Sequence, residues 1–308
     1  MEAMPRPQRW KTLLAFAIIY FVWGSTFLAI RVGVREVPPF LLAGMRFFAA
    51  GILLYVWMRL GGTAPPTRRE WASATLLAML IFLVDYGLVF WAEQRVPSGI
   101  TAVMLATIPV FIALLEIVIL RTQKLTVRLG CALIAGLAGV AVLVSRSVSF
   151  GDAPIERSGA IALVVGAISW SLASVLTRKL SLPQSKIMSS GVQMLVGGIL
   201  LIVAAAMFGE FQGFRPREVS AGAWLALAYL IVAGSIIAFT AYVWLIHHES
   251  PTKVGTYAYV NPVIAVVIGY FLGGEALGSR TILGTLLILV SVIVITTTPK
   301  RLRASVTS

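Results

Sequence analysis

The sequence predicts an all-α integral membrane protein with ten transmembrane helices arranged as two inverted five-helix repeats. Three observations carry that expectation: an apolar excess, ten hydrophobic runs of spanning length, and an internal repeat. Of 308 residues, 59% are hydrophobic and 12% charged, and the mean hydropathy is +0.93. A soluble core cannot hide that much apolar surface.

About 20 apolar residues cross the roughly 30 Å hydrocarbon layer. Runs of that kind fall at 12–30, 39–60, 72–92, 97–120, 126–145, 158–177, 186–208, 221–246, 253–273 and 279–298. The first follows Arg6, Arg9 and Lys11, is too long for a signal core and lacks a small-residue cleavage pattern, so it reads as a membrane helix. Connections such as "RLGGTAPPTRRE" and "SRSVSFGDAPIERS" are short and carry turn residues, which leaves no room for a soluble domain.

Orientation follows from Lys and Arg. Of the 25, 16 fall on the side of the termini and 8 on the other, with Arg46 the remaining one, so both termini are expected in the cytoplasm. The chain also repeats itself. "WGSTFLAIR" (23–31) aligns with "WSLASVLTR" (170–178), and "GMRFFAAGILL" (44–54) with "GVQMLVGGILL" (191–201), both at an offset of 147. Later in each half the offset becomes 153, matching Trp91 to Trp244 and Pro109 to Pro262. The expected repeats are 12–145 and 158–298. An odd number of helices per repeat inverts the second half, which is a transporter architecture.

Composition narrows the function classes. The net charge of +13 is spread over nearly every connection, which argues against nucleic acid as a partner. The single cysteine, Cys131, reads as a small buried hydrophobe. His247 and His248 are adjacent and share no helix face, a poor metal site. No HExxH, P-loop or Ser/His/Asp set points to an enzyme, and neither metal nor cofactor is expected. The expected partners are a small-molecule substrate and the lipid bilayer, with the chain a monomer or homodimer.

Interruptions at matching positions of inverted halves mark a midplane cavity, because freed backbone groups need polar surroundings. Pro109 and Asn261-Pro262 lie halfway along helices 4 and 9, and Trp23 and Trp170 near the centres of helices 1 and 6. The candidate substrate ligands are Trp23, Arg46, Asp85, Trp91, Trp170, Gln193, Tyr257, Tyr259 and Asn261. Arg46 stands inside a membrane helix at a cost of roughly 2.5 to 3.5 kcal/mol on the insertion scale. Asp85 matches it in depth, which suits an intramembrane ion pair, with Glu93 reaching the same outer vestibule. Gln193 is the repeat equivalent of Arg46, so only one half carries charge there.

Asp85, Glu93 and Glu116 are the coupling candidates. Arg121 is close enough in sequence to pair with Glu116, and Arg280 with Glu275. Gly269-x-x-x-Gly273 is a helix-packing signal.

Four stretches give the chain a resemblance to two copies of the EamA domain of the drug/metabolite transporter superfamily, over residues 12–298. They are "FVWGSTFLAIRVGVREVPPFLLAGMRFFAAGILL", "WAEQRVPSGITAVMLATIPVF", "GAISWSLASV" and "TYAYVNPVIAVVIGYFLGGEALGSRTILGTLLIL". The first repeat departs from the pattern, with "TQKLT" and Gln123 where the second has "GGEALGS" and Glu275. Asp85 belongs to no motif of that family.

The resemblance implies ten helices, cytoplasmic termini and ATP-independent export of amino acids or other small metabolites across the cell inner membrane. The expectation is a proton-motive or exchange-driven exporter. A lipid or lipid-linked sugar translocator and a multidrug cation exporter are the alternatives within the superfamily.

Overall fold

A computed structural model describes residues 9–118, 125–144, 156–177, 179–249, 254 and 256–297. Among them the regular structure is helical. In chain order the helices are α1 (Arg9–Gly33), α2 (Pro39–Leu60), α3 (Arg68–Ala92), α4 (Ser98–Leu105, then Ile108–Val118), α5 (Val127–Val144), α6 (Arg157–Leu176), α7 (Lys186–Met207), α8, α9 (Tyr257–Gly273) and α10 (Ser279–Thr297). Three pieces run on from one another to make α8: Ala221–Tyr229, Leu230–Ile237 and Ala238–His248.

Eight of the helices are long and apolar enough to cross a membrane, and α5 and α9 are shorter apolar helices. The protein is a multi-pass membrane protein. Its outward faces agree: Phe21, Leu53, Ile134 and Phe271 are all exposed, as lipid-facing positions should be. Cys131 lies on such a face too, exposed rather than buried, because the apolar medium around a membrane protein accepts on its surface what a soluble fold would bury.

Close backbone approach organises the bundle. Along the α2–α7 seam a Cβ on Gly51 would stand 2.3 Å from the amide nitrogen of Leu195, and one on Gly198 would stand 2.3 Å from that of Phe48. In lipid, helices associate through such packing, since no hydrophobic gain separates one apolar face from another. The other principal pairings are α5 with α10, α4 with α9, α1 with α8 and α9, and α6 with α3 and α4.

Among the described residues, two helices depart from α geometry. Met79–Tyr86 of α3 and Leu230–Ile237 of α8 are π-helical. The π pattern opens the i→i−4 ladder and re-aims side chains, a deviation found frequently at functional sites.

Helix 4 breaks at Ala106-Thr107, just before Pro109, as the sequence suggests. Pro262 does not interrupt α9, which runs unbroken through it from Tyr257. Six residues into the helix, its missing N–H removes one ladder bond, beyond the first four N–H groups that lack a partner anyway.

At the end of the bundle where α1, α3 and α9 finish, three carboxylates from connections cap helix N-termini elsewhere. Glu36 accepts from the amide (2.6 Å) and hydroxyl (2.7 Å) of Ser220, the N-cap of α8. Glu210 accepts from Leu41 N at 2.8 Å and Phe40 N at 3.3 Å at the start of α2. Glu275 accepts from Ser98 N (2.6 Å), Ser98 Oγ (2.6 Å) and Gly99 N (3.0 Å) at the start of α4. Each satisfies orphan N–H groups and sits at the positive end of a helix dipole. Gly269 makes room for the last of these: a Cβ there would lie 2.5 Å from Glu275 Oε2.

Candidate functional site

A cavity of about 460 Å³ opens between α1, α2, α3, α4, α6, α7, α8 and α9. Its walls include Trp23, Arg46, Asp85, Pro109, Trp170, Gln193, Tyr257, Asn261 and Pro262, so the structure brings most of the sequence candidates together. Tyr86, Ser235 and Tyr242 also line it and escaped the sequence reading.

Two aromatic groups form the apolar walls. Trp23 packs against Tyr257 (centroids 5.2 Å apart) and Tyr242 (5.4 Å). Tyr86 packs against Phe47 (4.6 Å), Phe82 (5.7 Å) and Trp170 (5.9 Å).

The π segment of α8 supplies the polar fixtures. Trp23 Nε1 donates to the carbonyl of Gly234 at 3.1 Å. Arg46 Nε donates to Ser235 Oγ at 3.0 Å, and that hydroxyl donates to Leu230 O, five residues back, at 2.9 Å. The Arg46 guanidinium also lies 4.7 Å from the ring centroid of Phe47 and 5.6 Å from that of Tyr86, a cation–π setting that offsets part of the cost of its burial. Its remaining exposure is 3%.

Arg46 and Asp85 do not form the expected ion pair, although both line the cavity. Asp85 lies in the π segment of α3 against α6, where a Cβ on Gly166 would be 2.8 Å from its Oδ1. Matching depth leaves the azimuth around the helix open, and the π turn alters it. Three buried polar atoms of the cavity residues consequently lack hydrogen-bond partners: Arg46 Nη1, Asp85 Oδ1 and Asn261 Oδ1. Buried polar groups are satisfied as a rule, which singles out these three among the residues that line the cavity.

Four candidates lie elsewhere. Trp91 and Tyr259 pack against the core shared by α3, α4, α5, α6 and α10, and the Arg95 guanidinium covers the Trp91 ring at 3.8 Å. Glu116 is buried in the second half of α4, away from the cavity lining; Arg121, its expected partner, and Gln123 fall outside the described residues. Glu93 does not reach the cavity either and is sealed near Arg31 and Glu275. Glu275 caps α4 and stands 3.6 Å from Arg31 Nε.

The model of the EamA-like transporter family matches residues 10–145 and 157–297. Over 284 residues the chain is 40% identical to the uncharacterized inner membrane transporter YedA of Escherichia coli (strain K12), covering 92% of this chain and 89% of that one. It is also 25% identical over 276 residues to protein PecM of Dickeya dadantii (strain 3937), covering 89% and 88% of the two chains. A crystal structure of a protein 21% identical shares the fold, with a TM-score of 0.60 over 94% of this chain and 96% of that one.

Proposed function

Because the chain belongs to the EamA-like transporter family, we propose that it is a secondary exporter of the inner membrane for small amphipathic metabolites bearing both a carboxylate and an amine, amino acids being the nearest class. The observation that carries this reading is that three residues lining an otherwise aromatic cavity, Arg46, Asp85 and Asn261, each hold a side-chain polar atom without a hydrogen-bond partner. Opposite charges that line one cavity without pairing match a zwitterion. Arg46 takes the carboxylate, Asp85 the ammonium, Asn261 accepts a further donor, and Trp23, Trp170 and Tyr257 enclose the apolar part. A permanent cation in the same cavity argues against a purely cationic drug.

In this reading ten helices form two inverted repeats that rock about the cavity, with the termini in the cytoplasm. Supporting it, the helix pairings exchange with one another when the halves are swapped: α1–α9 with α6–α4, and α1–α8 with α6–α3. The α2–α7, α5–α10 and α4–α9 pairs map onto themselves. The π segments of α3 and α8 also occupy corresponding helices.

Counterflow in proteoliposomes tests the substrate class. Vesicles are loaded with one unlabelled amino acid or cationic amphiphile at a time, and uptake of the same labelled compound is followed. Saturable amino-acid uptake that collapses in Arg46→Ala is expected. Uptake of cationic amphiphiles alone, indifferent to Arg46→Ala, overturns the reading.

A further inference from the structure

Glu93 has no place in the cavity, yet it is fully buried and neither carboxylate oxygen has a hydrogen-bond partner. It sits just beyond α3, where the ends of three helices converge. Arg31 of α1 donates through Nη1 to the backbone carbonyls of Glu93 (2.8 Å) and Val96 (2.7 Å). Gln94 Nε2 donates to Val34 O at 3.1 Å, tying the same connection to the end of α1. Glu275, at the end of α9, reaches Arg31 Nε at 3.6 Å while capping α4.

The charges acting on Glu93 are thus Arg31 from α1 and Glu275 from α9. From α4 the N-terminal groups Ser98 and Gly99 are already committed to Glu275. Within its own connection, Arg95 turns to the ring of Trp91 and to Glu156, 3.3 Å away.

One guanidinium therefore faces two carboxyl groups, of which Glu93 is fully buried. Glu275 has the donors that an anion needs. Glu93 has none, and an ionised carboxylate without donors in a dry site costs several kcal/mol. We propose that Glu93 is a proton-binding site that couples protonation to closure of this end of the bundle: the neutral acid is sealed beneath α1, α4 and α9, and the carboxylate draws in water and parts them. The proton comes from the aqueous phase on that side and returns to it on opening. This rests on the alternating-access part of the reading above and is independent of which substrate the cavity takes.

The test needs no substrate. Spin labels are placed on Arg35→Cys and Ala276→Cys, both exposed, in a Cys131→Ser background, and the distance between them is measured in nanodiscs across a pH series. With Glu93 intact, the distance should lengthen as pH rises. In Glu93→Gln, which keeps the neutral shape, it should stay short at every pH. In Glu275→Gln, Arg31 is freed to stabilise the Glu93 carboxylate, so the lengthening should move to lower pH by about one unit. An unchanged pH response in Glu93→Gln, or none with Glu93 intact, overturns the proposal. Should every amino acid fail in counterflow while the distance still follows Glu93, the substrate reading falls and this one stands.

Discussion

Arg46 on α2 and Ser235 on α8 meet at 3.0 Å, with the serine hydroxyl relaying to Leu230 O through the π turn. That contact sets which nitrogen of the guanidinium is left for a ligand. Ser235→Ala removes a charge-assisted hydrogen bond worth about 1.5 to 3 kcal/mol in general. We expect KM for counterflow to rise about tenfold or more, with some loss of thermal stability because Arg46 Nε is left buried without its partner. Equal KM values in the two proteins would place Arg46 outside substrate binding.

Asp85→Asn separates the two ends of a zwitterion. Without the carboxylate, the amine of the substrate loses its charge partner while Arg46 keeps its own. Competition assays should show the preference for an amino acid over its deaminated analogue falling about tenfold, the scale of one charged hydrogen bond. A preference that survives the substitution assigns Asp85 a purely structural role.

The α2–α7 seam predicts a stability contrast. Gly198→Ala drives a methyl group into the backbone of Phe48 and should cost about 1 to 3 kcal/mol, as overpacking does. Gly222→Ala, whose Cβ would meet only Ser220 Oγ at 3.5 Å, should be neutral or stabilising, since alanine loses less backbone entropy in a helix. Thermal melts in detergent compare the two directly.

Acid should loosen the α8 cap. The Ser220 amide and hydroxyl hold the Glu36 carboxyl below its ordinary value of 4.5. A group with a depressed native pKa adds stability above its unfolded value and loses it as pH falls through the folded one. The contribution of Glu36 is therefore full above pH 4.5 and fades below it. Melts of the intact chain and of Glu36→Gln should differ at neutral pH and converge in acid. Parallel curves at all pH values would show that the cap does not titrate.

Much of the candidate site was legible. Trp23 with Trp170 and Pro109 with Pro262 are repeat-matched pairs in the sequence, and all four residues line the cavity. Repetition carries the signal, since a side chain singled out twice at one offset is more than core filling. Trp91 and Tyr259 misled because an aromatic ring in a membrane helix serves packing and binding equally well, and only the neighbours tell which. Tyr86, Ser235 and Tyr242 were missed for the converse reason. The π turns that aim residues in α3 and α8 have no reliable sequence mark.

The sequence by itself determined the class of protein, the apolar runs, their boundaries to within a few residues, and the presence of charge inside the membrane. These follow from hydropathy and local periodicity, which depend on near neighbours in the chain. Tertiary structure alone decided the partners: Ser235 instead of Asp85 for Arg46, and Arg31 with Glu275 around Glu93. A partner is chosen by azimuth, rotamer and close backbone approach between elements as far apart in the chain as those of Arg31 and Glu275. A one-dimensional pattern of hydrophobicity gives depth, and depth is only one of the coordinates that bring two charges together.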